Sequence, residues 1–109
     1  MNRTELLQSI AEREFSLSET LKVLKANPSI YMSWGVSSLK NFENKVLILK
    51  VNGHHHKGLV LISLAWNDTY TVNIVSTQNN IKKTYTEVYF DVLTEIIDNH
   101  IEKIDDYEF

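Results

Sequence analysis

The chain contains no cysteine, which excludes a disulfide framework, thiolate catalysis and any zinc–cysteine site. Its single proline and three glycines leave no room for a long flexible linker. No apolar run approaches the roughly 20 residues that a membrane span requires, and the longest apolar segments are strand-sized. Residues Met1 to Glu5 lead straight into an amphipathic pattern with acids in it, so the start lacks the apolar centre of a signal peptide. These absences point to a protein of the reducing cytoplasm with no membrane association. Catalytic patterns are missing as well. There is no glycine-rich phosphate loop, no helical histidine–glutamate zinc pattern and no nucleophile elbow, which predicts a non-enzymatic protein without a cofactor.

What is present suits one globular domain. A chain of 109 residues is too short for two independent cores of comfortable size. Apolar residues make up 43% and charged residues 23%, so the composition is that of a folded chain. The net charge of −3 is unevenly spread. Residues 20–83 hold eight lysines against Glu43 and Asp68, while residues 84–109 hold eight acids against Lys103 alone. A basic middle is followed by an acidic end.

The stretch from Lys45 to Ser76 organises the rest. Three apolar runs, Val46 to Val51, Leu59 to Trp66 and Tyr70 to Val75, are separated by polar breaks at residues 52–58 and at Asn67-Asp68. This pattern predicts a β-meander, with Asn67 and Asp68 at a hairpin turn because both tolerate positive φ. Before it, Asn2 and Glu5 form a capping-box pattern, and Leu6, Leu7, Ile10, Leu17, Leu21 and Leu24 recur at helical spacing. Glu14 interrupts that stripe and Ser16 to Glu19 offers a second cap, so a break is expected near Phe15. Asn27-Pro28 is expected to end the helix. Ile30, Met32, Trp34 and Val36 alternate with polar or small residues, the period of a strand. Ser38 to Asn44 reads as a polar connection and Gln78 to Lys83 as a polar loop. Thr84 and Glu87 form another capping-box pattern, and Val88, Val92, Ile96 and Ile101/Ile104 mark the buried side of a last helix.

The expected fold is therefore α+β, in two layers. A four-stranded antiparallel sheet (residues 30–76) is covered by N-terminal helix or helices (1–27) and a C-terminal helix (84–104), with an acidic tail at 105–109. The acidic last helix speaks against the double-stranded RNA-binding arrangement, whose second helix is basic.

Three sets of residues are candidates for function. His54-His55-His56 could supply metal ligands, but neighbours on an extended chain point to alternating sides. Only His54 and His56 could share a side, with no further ligand at a recognisable spacing, so a polar hairpin is the simpler reading. Trp34 and Trp66, with Lys45, Lys50 and Lys57, could form a stacking and phosphate-binding surface for nucleic acid, although strand aromatics commonly pack in cores. Glu87, Asp91, Glu95, Asp98 and Glu102 fall on one side of the expected last helix. With Tyr107 and Phe109 of the tail they form an acidic, aromatic-tipped surface suited to a protein partner.

Three segments also resemble a family of small uncharacterised proteins carried by phages and mobile elements. Thr20 to Leu24 followed by Asn27 and Met32-Ser33-Trp34-Gly35-Val36 is similar to the family's leucine-rich helix end and following strand. Asn67-Asp68-Thr69-Tyr70-Thr71-Val72 is similar to its aspartate–aliphatic–tyrosine turn, and Val88 to Leu93 to its tyrosine–aspartate–leucine helix. The resemblance spans residues 20–104, and Lys25-Ala26 stands where the family often has a glycine pair. It implies a fold and a mobile-element setting, and no functional residue. The expectation is a binding or regulatory module acting through a protein partner, as a monomer or weak homodimer, with nucleic-acid binding as the alternative.

Overall fold

The computed structural model describes residues 2–53 and 56–101. Its elements are α1 (Arg3–Ile10), α2 (Leu17–Lys25), α3 (Pro28–Ser33), β1 (Ser38–Phe42), β2 (Val46–Asn52), β3 (Lys57–Leu64), β4 (Tyr70–Val75), β5 (Ile81–Val88) and α4 (Leu93–Ile101). The strands form one antiparallel sheet in the order β1-β2-β3-β4-β5, every neighbour in space being a neighbour in sequence. The fold is α+β with five strands and four helices. No described helix is long and apolar enough to cross a membrane.

Each early helix begins on a side chain that caps it. Asn2 Oδ1 accepts from the Glu5 backbone amide at 2.8 Å while the Asn2 side-chain Nδ2 donates to the Glu5 carboxylate, so the expected Asn2–Glu5 cap forms, reciprocated between the two side chains. Ser16 accepts from the Glu19 amide, which sets the start of α2 and the break before it. Asn27 accepts from the Ile30 amide, and Pro28 takes the first position of α3, where a missing N–H costs nothing. The segment expected as a first strand is thus a short helix. The apparent period of two came from Ile30 and Trp34, which are four apart and share a helix face. The first helical stretch ends before Asn27-Pro28 as expected, and the same proline also starts the next helix.

The two strands missing from the expected sheet are its edges. β1 occupies the segment expected as a connection, and β5 occupies the loop and the start of the expected last helix. Both expose most of their side chains, as edge strands do. The Thr84–Glu87 pattern is not a cap. Thr84 donates to the Asn73 side chain on β4 at 2.7 Å, and Glu87 sits at φ 54° where the β4–β5 register slips between Tyr70 and Val72. β5 carries an extra residue there, a β-bulge.

Both faces of the sheet are covered, where one was expected. Alternate residues of β2 separate them: Leu47, Leu49 and Val51 join the larger core under α2, α3 and α4, while Val46 and Ile48 face α1. Leu6 and Leu7 of α1 complete the smaller cluster with Leu59, Leu61 and Val75. Residues 11–16 carry the chain from one face to the other around the end of the sheet. Arg13 bridges to Leu64, the Phe15 amide donates to the Asn44 carbonyl at 2.9 Å, and the Phe15 ring meets Tyr70 edge-on.

Candidate functional site

α4 buries Leu93, Ile97 and Ile101 against the sheet. Its next stripe, Thr94, Glu95 and Asp98, extends the preceding Asp91 and faces a groove opposite α2 and α3. Thr94 ties the two walls together by donating to the Val23 carbonyl at 3.3 Å. The groove holds about 630 Å³ and is floored by Val23, Ala26 and Ile30, within the roughly 300–1,000 Å³ of ligand pockets. Asp91, Glu95 and Asp98 line it, and among the described residues no cation does. Phe90 is 67% exposed at its mouth, a large ring left in water beside an apolar floor. Lys25, the nearest basic residue of α2 in sequence, lies over the Tyr31 ring.

Trp34 fixes one wall of this groove from beneath. It caps α3, is fully buried, and donates its indole N–H to Asp98 at 3.1 Å. Tyr31 packs against it at 5.7 Å between ring centroids.

The acidic surface expected from the sequence is thus assembled only in part. Asp91, Glu95 and Asp98 converge on the groove, with Asp98 half-buried and not on an open solvent face. Glu87 lies apart on the bulge of β5. Glu102, Tyr107 and Phe109 fall outside the described residues. Phe90 and Ile30 were not singled out in the sequence, because nothing local marks which apolar residues a helix pair leaves open.

The aromatic and basic residues of the alternative surface do not meet. Trp34 is in the core under α4, so it offers no face for stacking. Trp66 is exposed in the β3–β4 turn, with the Arg13 guanidinium over its ring and Arg13 paired to Asp68. Lys45 is near that end of the sheet, whereas Lys57 begins β3 at the other end and Lys50 faces the α1 side.

His54 falls outside the described residues, while His56 is buried at the end of the β2–β3 hairpin. Its Nε2 lies 3.2 Å from the Leu59 carbonyl. His100, distant in sequence, stands with its ring 6.2 Å from that of His56 and its Nδ1 2.9 Å from the Tyr85 hydroxyl. Among the described residues no group of three or more metal-binding side chains comes together. Burial holds the His56 pKa below its usual value and Lys82 adds to that, while the Leu59 and Val75 carbonyls oppose it. The unfolded chain therefore takes up a proton at His56 at higher pH than the folded one. Stability is fully present above about pH 6.5, the unperturbed value, and falls as pH drops from there through the lower folded pKa. Urea midpoints measured from pH 7.5 to 5 should show this decline, and His56→Gln should flatten it. An unchanged slope in that variant would assign the effect to other groups.

Compared with protein-family models, curated proteins and solved structures, the chain matches none.

Proposed function

We propose that this protein is a small non-enzymatic binding module that receives a basic, amphipathic helix of a protein partner in the groove between α2, α3 and α4. The mobile-element setting implied by the family resemblance is part of the same proposal. The observation that carries the reading is an apolar floor beside an exposed Phe90, lined by three carboxylates and, among the described residues, no cation. Helix-in-groove recognition needs this combination: an open hydrophobic channel for the apolar stripe and charge of the opposite sign for its flanks. A single exposed aromatic beside such a channel is the kind of side chain that dominates interface energies.

The test is a pair of helical peptides with the same leucine stripe, one flanked by lysines and the other by glutamates. The lysine peptide should bind and the glutamate peptide should not, with the difference shrinking as salt is raised. Phe90→Ala and Glu95→Lys should each weaken the lysine peptide at least about tenfold, the scale of an interface anchor. Equal binding of the two peptides, or unaltered binding by both variants, would remove the groove from consideration.

A further inference from the structure

We infer that a second pocket, on the opposite face of the sheet, is a binding site for a phosphate group. The antiparallel register places Ser38, Lys50 and Leu59 in one row across β1, β2 and β3, with Lys40 and Ile48 in the next row. All five line a pocket of about 260 Å³, closed by Arg3 from the start of α1 and by Thr77 from the β4–β5 loop. Three cations and two hydroxyl side chains thus surround one cavity whose floor, Ile48 and Leu59, is buried and apolar.

Among the described residues no carboxylate lines this pocket. Glu5, the acid of the first turn of α1, is engaged by the Asn2 side chain. Among the described residues the one salt bridge is Arg13–Asp68, so neither lysine nor Arg3 is neutralised by a described neighbour. Arg3 is also positioned: its Nε donates to the Asn79 side chain, two residues beyond Thr77. A guanidinium held at one edge presents its terminal nitrogens in fixed directions, the geometry suited to phosphate oxygens. Lys40 and Lys50 add charge from diagonal positions on the same sheet face, where their mutual repulsion is relieved by a bound anion. The apolar floor strengthens each of these interactions relative to open water.

The size and lining set the ligand class. The cavity is just below the roughly 300–1,000 Å³ of pockets that enclose whole drug-sized ligands. Among the described residues no aromatic ring lines it to serve as the stacking platform that single-stranded nucleic acid uses. It suits free phosphate or pyrophosphate, or the phosphate end of a small molecule. The site is independent of the groove, since it uses other residues on the other face.

The test is calorimetric titration of the full chain at low ionic strength with phosphate, pyrophosphate and adenosine monophosphate, using matched chloride as the control. Binding of pyrophosphate is expected, weakened about tenfold in Lys50→Gln and in Lys40→Gln, the scale of one charge-assisted hydrogen bond. Lys22→Gln, on the exposed side of α2, should bind as the native chain does. Tighter binding of the nucleotide than of pyrophosphate identifies a phosphorylated small molecule, and the reverse identifies the free anion. The inference is overturned if none of the three binds, if Lys22→Gln weakens binding as much as Lys50→Gln, or if an oligothymidylate binds where pyrophosphate does not. Circular dichroism of each variant confirms that these exposed lysines leave the fold intact.

Discussion

Trp34→Ala should remove about 3–5 kcal/mol of stability, the range for deleting a buried tryptophan. That is a large share of the roughly 5–15 kcal/mol that holds a domain of this kind together. Trp34 fills the space where α3, α4 and the end of β2 meet, with no exposure to solvent. Its carbonyl also accepts from the Asn52 amide at 2.9 Å, so it anchors the chain leaving α3 to the sheet. Truncation opens a cavity between these elements, which the surrounding structure fills only in part. It also takes the indole N–H away from Asp98. Trp34→Phe separates the two effects: it retains most of the apolar volume and should cost about 1.5–3 kcal/mol, the range for losing a hydrogen bond to a charged group. Urea unfolding measures both. Tryptophan fluorescence supplies the independent check. In Trp66→Phe the remaining Trp34 should be shielded from acrylamide, and in Trp34→Phe the remaining Trp66, 72% exposed, should be readily quenched. Free quenching of Trp34 would contradict its burial and the account of the groove wall that depends on it.

The second large effect is expected at Gly58→Ala, a loss of about 2–4 kcal/mol from overpacking and backbone strain combined. Gly58 has φ 155°, a conformation that favours glycine, and a Cβ placed there would sit 2.6 Å from the Val75 carbonyl oxygen. That oxygen belongs to β4 and cannot retreat without disturbing the strand pairing of Leu59 with Val75. The buried His56 ring, 3.1 Å from the same point, blocks the other direction. Denaturant midpoints of the variant and the native chain decide it. A change below about half a kcal/mol, typical of an unconstrained surface position, would mean that the hairpin end has room to shift.

Both positions show how far a linear reading reaches. The central strands β2 and β3 were legible because a strand covered on both faces must be apolar almost throughout, as Val46 to Val51 and Leu59 to Leu64 nearly are, and β4 was legible from the alternation of Tyr70, Val72 and Ile74 with polar residues. The Asn2–Glu5 and Ser16 caps were legible because capping is satisfied within a few residues of chain. The edge strands β1 and β5 were not. An edge strand is held by one neighbour and exposes most of its side chains, so its sequence carries polar residues like those of a loop. Thr84 and Glu87 matched a helix cap by composition, yet Thr84 bonds to Asn73 across the sheet. Pro28 marks the end of α2 as expected, but that it also opens α3, and that Trp34 caps that helix and does not lie in a strand, depends on what packs opposite.

The candidate sites divide along the same line. Sequence alone determined that the chain carries its acids late and its lysines in the middle. It also determined a central meander preceded by capped helices. Only the tertiary structure brought Asp91, Glu95 and Asp98 over an apolar floor with Ile30 and Phe90, and it left Glu87 outside that set. It also placed His100 beside His56 and Arg3 beside Lys40 and Lys50. Local patterns record the hydrogen bonds and periodicity a segment satisfies by itself. Which faces are covered, and which charges meet, depends on contacts between residues far apart in the chain, and those are decided when the helices settle on the two faces of the sheet.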